Sequence, residues 1–162
     1  MKRILLIEDD GDLAVEIKEK LNDDGNYDIK KATTYNAAIG MWKDYNECFD
    51  CIILDLNIDP EGLETEVQKD YFSVPGILVL KNFGKNKDGT EKSLEEQKAI
   101  WEKTIVFSAF ISNLPQKGIM ENPPGKLTFI HKNKGNPVFN LVKAVNEIFN
   151  KKITISNGKP QC

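Results

Sequence analysis

Two short apolar runs, each ending abruptly on carboxylates, constrain what this chain can fold into more than any other feature. Cys51-Ile52-Ile53-Leu54 stops at Asp55, and Ile4-Leu5-Leu6-Ile7 stops at Glu8-Asp9-Asp10. Runs of this length without polar alternation read as strands buried on both faces, the kind found inside a parallel sheet. In open α/β sheets ligands bind beyond the carboxyl ends of the strands, so acids placed there face a cleft rather than bulk solvent. If the two strands are parallel neighbours, their terminal carboxylates converge.

The segments around these runs support a parallel sheet. After the first strand, Asp10 or Asp12 can cap a helix that carries Leu13, Ala14, Ile17 and Leu21 at helical spacing, and Asn22-Asp23-Asp24-Gly25 stops it. Tyr27 to Ala32 reads as a weaker strand, and Thr33-Thr34 offers an N-cap for a helix bearing Ala38, Ile39, Trp42 and Tyr45. The Asp55 strand completes a βαβαβ unit, which predicts right-handed crossovers with helices on both faces. The middle is less regular. Asp59-Pro60-Glu61-Gly62 marks a turn, Pro75 suits the first position of a helix through Phe83, and Ser93-Leu94-Glu95-Glu96 fits a capping box ahead of a charged helix. A fourth strand is expected over Thr104 to Phe107 and a fifth over Leu127 to Ile130. Between them, Pro115, Pro123 and Pro124 disfavour a well-formed helix. Asn136-Pro137 then caps a helix with Val138, Leu141, Val142, Val145, Ile148 and Phe149 on its apolar face.

Composition narrows the function classes. The 162 residues suffice for one domain with a full core, and 40% hydrophobic with 29% charged residues is the balance of a soluble globular chain. A net charge of −3 argues against a nucleic-acid surface, which needs a clustered basic excess. No run approaches the roughly 18 apolar residues of a membrane span, and Met1-Lys2-Arg3 leads into a strand rather than a signal peptide, so a cytoplasmic protein is expected. Cys48-Phe49-Asp50-Cys51 has redox spacing but leads into a strand instead of opening a helix, which leaves Cys51 as a buried strand residue. With only His131 and Cys162 to add, a zinc site is disfavoured.

Four strand ends then carry polar groups: Glu8-Asp9-Asp10, Asp55, Ser108 and Lys132. In a parallel sheet these share one edge and can form a single site. Clustered carboxylates repel unless a counter-charge joins them, and Mg²⁺ suits one or two carboxylates together with waters and a phosphate oxygen. Lys132 adds a mobile point charge suited to a phosphoryl oxygen, and Ser108 a neutral hydroxyl.

The pieces Ile4-Leu5-Leu6-Ile7-Glu8-Asp9-Asp10, Ile52-Ile53-Leu54-Asp55-Leu56-Asn57, Ile105-Val106-Phe107-Ser108-Ala109 and Phe129-Ile130-His131-Lys132, in this order at strand ends, resemble the response-regulator receiver domains of two-component signalling. The resemblance spans Met1 to Phe149. It implies an α/β fold, a flavodoxin-like, doubly wound, five-stranded parallel sheet, with a receiver domain over residues 1–150 and a polar tail over 151–162. It also implies roles. Asp55 is the phosphoacceptor; Glu8, Asp9, Asp55 and the backbone carbonyl of Asn57 hold Mg²⁺; Lys132 is the salt-bridge partner of the phosphoryl group. Ser108 follows that group, and Phe129 is the aromatic side chain that reorients. The implied partners are a histidine kinase or phosphotransfer protein and a downstream protein, with a homodimer compatible and neither nucleic acid nor membrane engaged. Chemistry is limited to self-catalysed phosphotransfer and autodephosphorylation, without enzymatic turnover of another substrate.

The chain departs from the family pattern in places. The interval from Asp55 to Ser108 is long, with extra segments near 59–74 and 85–103 inserted between strands 3 and 4. Pro60 falls one position late, Asn133 follows Lys132 where the family has proline, which puts the family's cis peptide there in doubt, and the proline-rich stretch replaces a fourth helix. Ordinary roles stay open beside the implied ones: Asp55 as a strand-end acid, Glu8 to Asp10 as helix caps, Lys132 as a solvated lysine, Phe129 as core. Two other functions fit the same fold. One is a pseudo-receiver, an interaction module that is not phosphorylated. The other is a Mg²⁺-dependent aspartyl-phosphate phosphatase, disfavoured because Asn57 stands where its second aspartate belongs.

Overall fold

The computed structural model describes residues 1–45, 48–63, 74–111 and 124–153. Its elements in chain order are β1 (Lys2–Ile7), α1 (Gly11–Asp24), β2 (Tyr27–Ala32), α2 (Tyr35–Asp44), β3 (Cys51–Leu54), α3 (Pro75–Phe83), α4 (Leu94–Glu102), β4 (Thr104–Ser108), β5 (Thr128–His131) and α5 (Pro137–Ile153). The strands form one parallel sheet in the order β2-β1-β3-β4-β5. This is the doubly wound arrangement expected from the alternating pattern. The order reverses between β1 and β3, which opens a crevice beyond their carboxyl ends.

Both faces of the central strands are buried, as their unbroken apolar runs require. Leu5, Ile7, Ile52, Leu54 and Val106 pack against α2, α3 and α4 through Ala38, Trp42, Ile77, Leu80, Phe83 and Ile100. Ile4, Leu6, Cys51, Ile53, Ile105 and Phe107 pack against α1 and α5 through Ala14, Ile17, Leu21, Leu141, Val145 and Phe149. Cys51 is thus a packed strand residue. Trp42 stacks on Phe83 at 4.2 Å between ring centroids, fixing α2 against α3.

Local chemistry sets the helix boundaries. Asp10 Oδ1 accepts the Leu13 N–H at 3.0 Å, so Asp10 caps α1, and the Thr34 hydroxyl accepts the Ala37 N–H at the start of α2. Pro75 occupies the first turn of α3, and Ser93 with Glu96 forms a complete capping box on α4. Asn136 caps α5 through the Phe139 N–H at 3.2 Å.

Several expectations shift. The fifth strand lies one residue later than Leu127 to Ile130, and α5 runs to Ile153, past the boundary expected at 150. Ala144 joins the buried face of α5, whereas Val142 is only partly covered. Among the described residues, the crossover from β3 to β4 carries two helices, α3 and α4. The prolines Pro115 and Pro123, most of the segment 59–74 and the expected polar tail beyond Ile153 lie outside the described residues. Among the described residues no peptide bond is cis, and no helix is long and apolar enough to cross a membrane.

The aromatic stack gives a test of this packing. Phe83 is fully buried, so Phe83→Ala should cost about 3–5 kcal/mol in chemical denaturation. Phe139, which projects from α5 into solvent, should change stability by less than about 0.5 kcal/mol when replaced by alanine. Equal losses would contradict the packing described.

Candidate phosphoacceptor site

The site lies at the reversal of strand order. Ile7 pairs with Leu54, and the ladder continues one step, with the Asp55 N–H donating to the Ile7 carbonyl at 2.9 Å. On the other side of β1, the Glu8 N–H donates to the Ala32 carbonyl at 3.0 Å. Glu8 and Asp55 are therefore held by main-chain bonds at adjacent strand ends. Carboxylate oxygens of Glu8, Asp9 and Asp55 come within 4.8 Å of one another. Asp10, the fourth acid, is occupied in capping α1.

Two of these acids are buried, Glu8 at 1% and Asp55 at 6% relative exposure. Lys132, delivered by the end of β5, lies between them. Its Nζ is 2.6 Å from Asp55 Oδ2, 2.7 Å from Glu8 Oε2 and 3.0 Å from Glu8 Oε1. The Lys132 N–H donates to the Ser108 carbonyl at 3.2 Å, which fixes the turn that aims the side chain. Burial pushes the Glu8 carboxyl above its ordinary pKa although the hydrogen bond from Lys132 pulls the other way. Burial alone would lower the Lys132 pKa, but its hydrogen bonds to Asp55 and Glu8 and their charges together hold it above the ordinary value.

The remaining groups complete the rim. Asp9 is exposed and leaves the cluster open to solvent on one side. The Asn57 N–H donates to Asp55 Oδ1 at 3.2 Å, so the two carboxylate oxygens of Asp55 have different partners. Ser108 is fully buried at the end of β4, and its hydroxyl accepts the Phe110 N–H at 3.2 Å. Phe129 is 42% exposed, so the alternative of a core side chain does not hold for it: β5 is an edge strand, and the buried core on that face ends at Leu127. His131 Nδ1 accepts the Asn133 N–H at 3.1 Å. Sequence reasoning missed Gly76, which closes against the main chain of Asp55; a glycine directly after the helix-opening Pro75 was the available signal.

With all three acids ionised, one ammonium against three carboxylates leaves two negative charges. A hard divalent cation such as Mg²⁺, which keeps several waters, would balance them on the solvent-facing side at Asp9. The carboxylate oxygens of Glu8, Asp9 and Asp55 are donors of the type that Mg²⁺ takes.

Among solved structures, the chain is similar to the receiver domain of a Francisella response regulator, at 20% identity and a TM-score of 0.61 over 94% of this chain and 99% of that one. It is similar to the non-phosphorylated HemR receiver domain of Leptospira biflexa, at 21% identity and a TM-score of 0.61 over the whole of both chains. A response regulator receiver domain protein of Clostridium thermocellum aligns at 17% identity and a TM-score of 0.62, over 96% and 99% of the two chains. No protein-family model and no curated protein sequence matches the chain. The fold is that of response-regulator receiver domains, the flavodoxin-like class with strand order 2-1-3-4-5.

The clamped lysine sets a pH signature. Lys132→Met leaves two buried carboxylates facing each other and should cost on the order of 3 kcal/mol at neutral pH. A lysine whose folded pKa is raised stabilises fully below its unfolded value, near 10.5, and ceases to as pH climbs through the folded value. The stability gap between wild type and Lys132→Met should therefore hold up to that pH and narrow above it. Denaturant titrations across the alkaline range would show this, and a gap that widens would contradict the ion pairs.

Proposed function

We propose that this chain is a receiver domain that accepts a phosphoryl group on Asp55 from the phosphohistidine of a histidine kinase or phosphotransfer protein. Phosphorylation then switches the binding of a downstream protein. The observation that carries this reading is the convergence of Glu8, Asp9 and Asp55 around Lys132 at the β1–β3 crevice. A strand-end acid with an ordinary structural role needs neither two acidic neighbours nor a lysine reached from the far edge of the sheet.

Each residue has a task in the transfer. Asp55 attacks phosphorus in line; a P–O bond forms to its carboxylate as the P–N bond to the donor imidazole breaks, and the imidazole leaves. Glu8, Asp9, Asp55 and the Asn57 carbonyl would hold Mg²⁺, which when bound would supply positive charge to the phosphoryl oxygens. Lys132 moves its ammonium from the carboxylate of Asp55 to a phosphoryl oxygen, a short displacement for a flexible side chain. Because Asp55 and Glu8 are anchored by main-chain bonds, the site meets the donor already organised, and positioning with charge does most of the catalytic work. Water later attacks phosphorus and releases Asp55.

The switch uses the neighbouring strand ends. Ser108 exchanges its contact with the Phe110 N–H for a hydrogen bond to the phosphoryl group. Phe129, whose ring faces solvent on the edge strand, turns inward as β4 and its loop move. A local change of charge thereby alters an exposed surface.

Intact-protein mass spectrometry after incubation with a small phosphodonor and Mg²⁺ tests the reading. One labile phosphoryl adduct is expected, dependent on Mg²⁺ and absent from Asp55→Asn. Absence of the adduct on folded protein, with phosphohistidine donors as well as small ones, would overturn it in favour of an unphosphorylated interaction module.

A further inference from the structure

We infer that Gly76 is a positioning residue for Asp55, an inference that rests on the reading of Asp55 as phosphoacceptor. Gly76 sits in the first turn of α3, at the return of the excursion that leaves the sheet after β3. Its N–H donates to the Leu56 carbonyl at 3.0 Å. A Cβ at this position would lie 2.3 Å from the Asp55 carbonyl oxygen, 2.7 Å from Leu56 Cα and 3.1 Å from the Asp55 carbonyl carbon. All three are main-chain atoms, so no rotamer change relieves the contact.

The requirement at Gly76 is for space and not for unusual backbone, because its φ is not positive, unlike those of Gly62, Gly89 and Gly135. Alanine would otherwise favour a helix over glycine, so the bare Cα here opposes local helix preference and serves the close approach. Neither partner can retreat easily. Ile77, Val79, Leu80 and Phe83 lock α3 into the core, and the Asp55 N–H is bonded to Ile7 across the sheet. The start of the excursion is fixed as well, by the Tyr35 N–H to the Asp59 carbonyl at 2.9 Å and the Asn36 N–H to the Glu61 carbonyl at 3.0 Å. What yields to an added methyl is the turn from Asp55 to Asn57. That turn carries the Asn57 carbonyl proposed for the metal and the Asn57 N–H that orients Asp55 Oδ1. Gly76 thus acts on the site through the main chain and touches neither metal nor phosphoryl group.

The test compares Gly76→Ala with Val79→Ala, which empties a buried position on the same helix without pressing on Asp55. Mg²⁺ affinity is measured by titration calorimetry, phosphoryl uptake from a small phosphodonor at saturating Mg²⁺ and donor, and the amide signals of Asp55, Leu56 and Asn57 by NMR of the metal-free proteins. Gly76→Ala should fold, shift those three signals, bind Mg²⁺ about tenfold more weakly and accept phosphoryl more slowly. Val79→Ala should melt at a lower temperature and keep wild-type affinity and rate. If Gly76→Ala does not fold in buffer alone, the same measurements are made on it and on the wild type in a stabilising osmolyte such as trimethylamine N-oxide. Wild-type affinity and rate in a folded Gly76→Ala would overturn the role of Gly76 alone. A wild type that neither binds Mg²⁺ nor accepts phosphoryl from any donor would overturn the reading of the site, and this inference with it.

Discussion

The ion pairs from Lys132 to Glu8 and Asp55 are the interaction on which the organisation of the sheet edge depends. Two carboxylates removed from water beside each other are costly, and an ammonium within 2.7 Å of both offsets that cost. The lysine belongs to β5, the last strand and the edge of the sheet, whereas the acids belong to β1 and β3. The charge cluster therefore works as a long-range tie across β4. Ser108 lies under it, and its carbonyl bonds to the Lys132 N–H.

The same arrangement accounts for a site that is both stable and responsive. Burial raises the Glu8 carboxyl in spite of the lysine, whereas the contacts of Lys132 with both acids outweigh its own burial, so the ammonium is well satisfied and the Glu8 carboxylate is not. A cluster left with surplus negative charge and an open, Asp9-lined side is suited to a cation and a phosphoryl group. Rigidity comes from the main chain, in the bonds of Asp55 to Ile7 and Glu8 to Ala32, and adaptability from the lysine side chain.

Much of this was legible in the residues. The unbroken apolar runs of β1 and β3 specify central parallel strands because only burial on both faces suits them, and the caps Asp10, Thr34, Ser93 and Asn136 follow from donor groups that a helix start must satisfy. Glu8, Asp9, Asp55 and Lys132 meet because strand direction carries distant residues to one edge. Their burial was not legible, since an acid at a strand end is written the same way whether it is covered or wet. The exposure of Phe129 was not legible either, because sequence pattern reports which face a residue shares, not whether an edge strand is covered there. Gly76 escaped notice because close main-chain approach depends on where two separate segments meet.

The division of the core between two faces has a consequence for how the chain can be made. Ile4, Leu6, Ile53, Ile105 and Phe107 form a continuous apolar surface that α1 covers only in part. The rest is closed by α5, beginning at Pro137, after every strand has been synthesised. During vectorial synthesis the N-terminal βαβαβ unit can assemble early, but one side of its sheet stays greasy until the last helix emerges. Completion of α5 thus covers the apolar face that the N-terminal unit leaves open. That same helix follows directly on the strand bearing Lys132, so closing the hydrophobic face and delivering the ammonium to its two acids are parts of one late step.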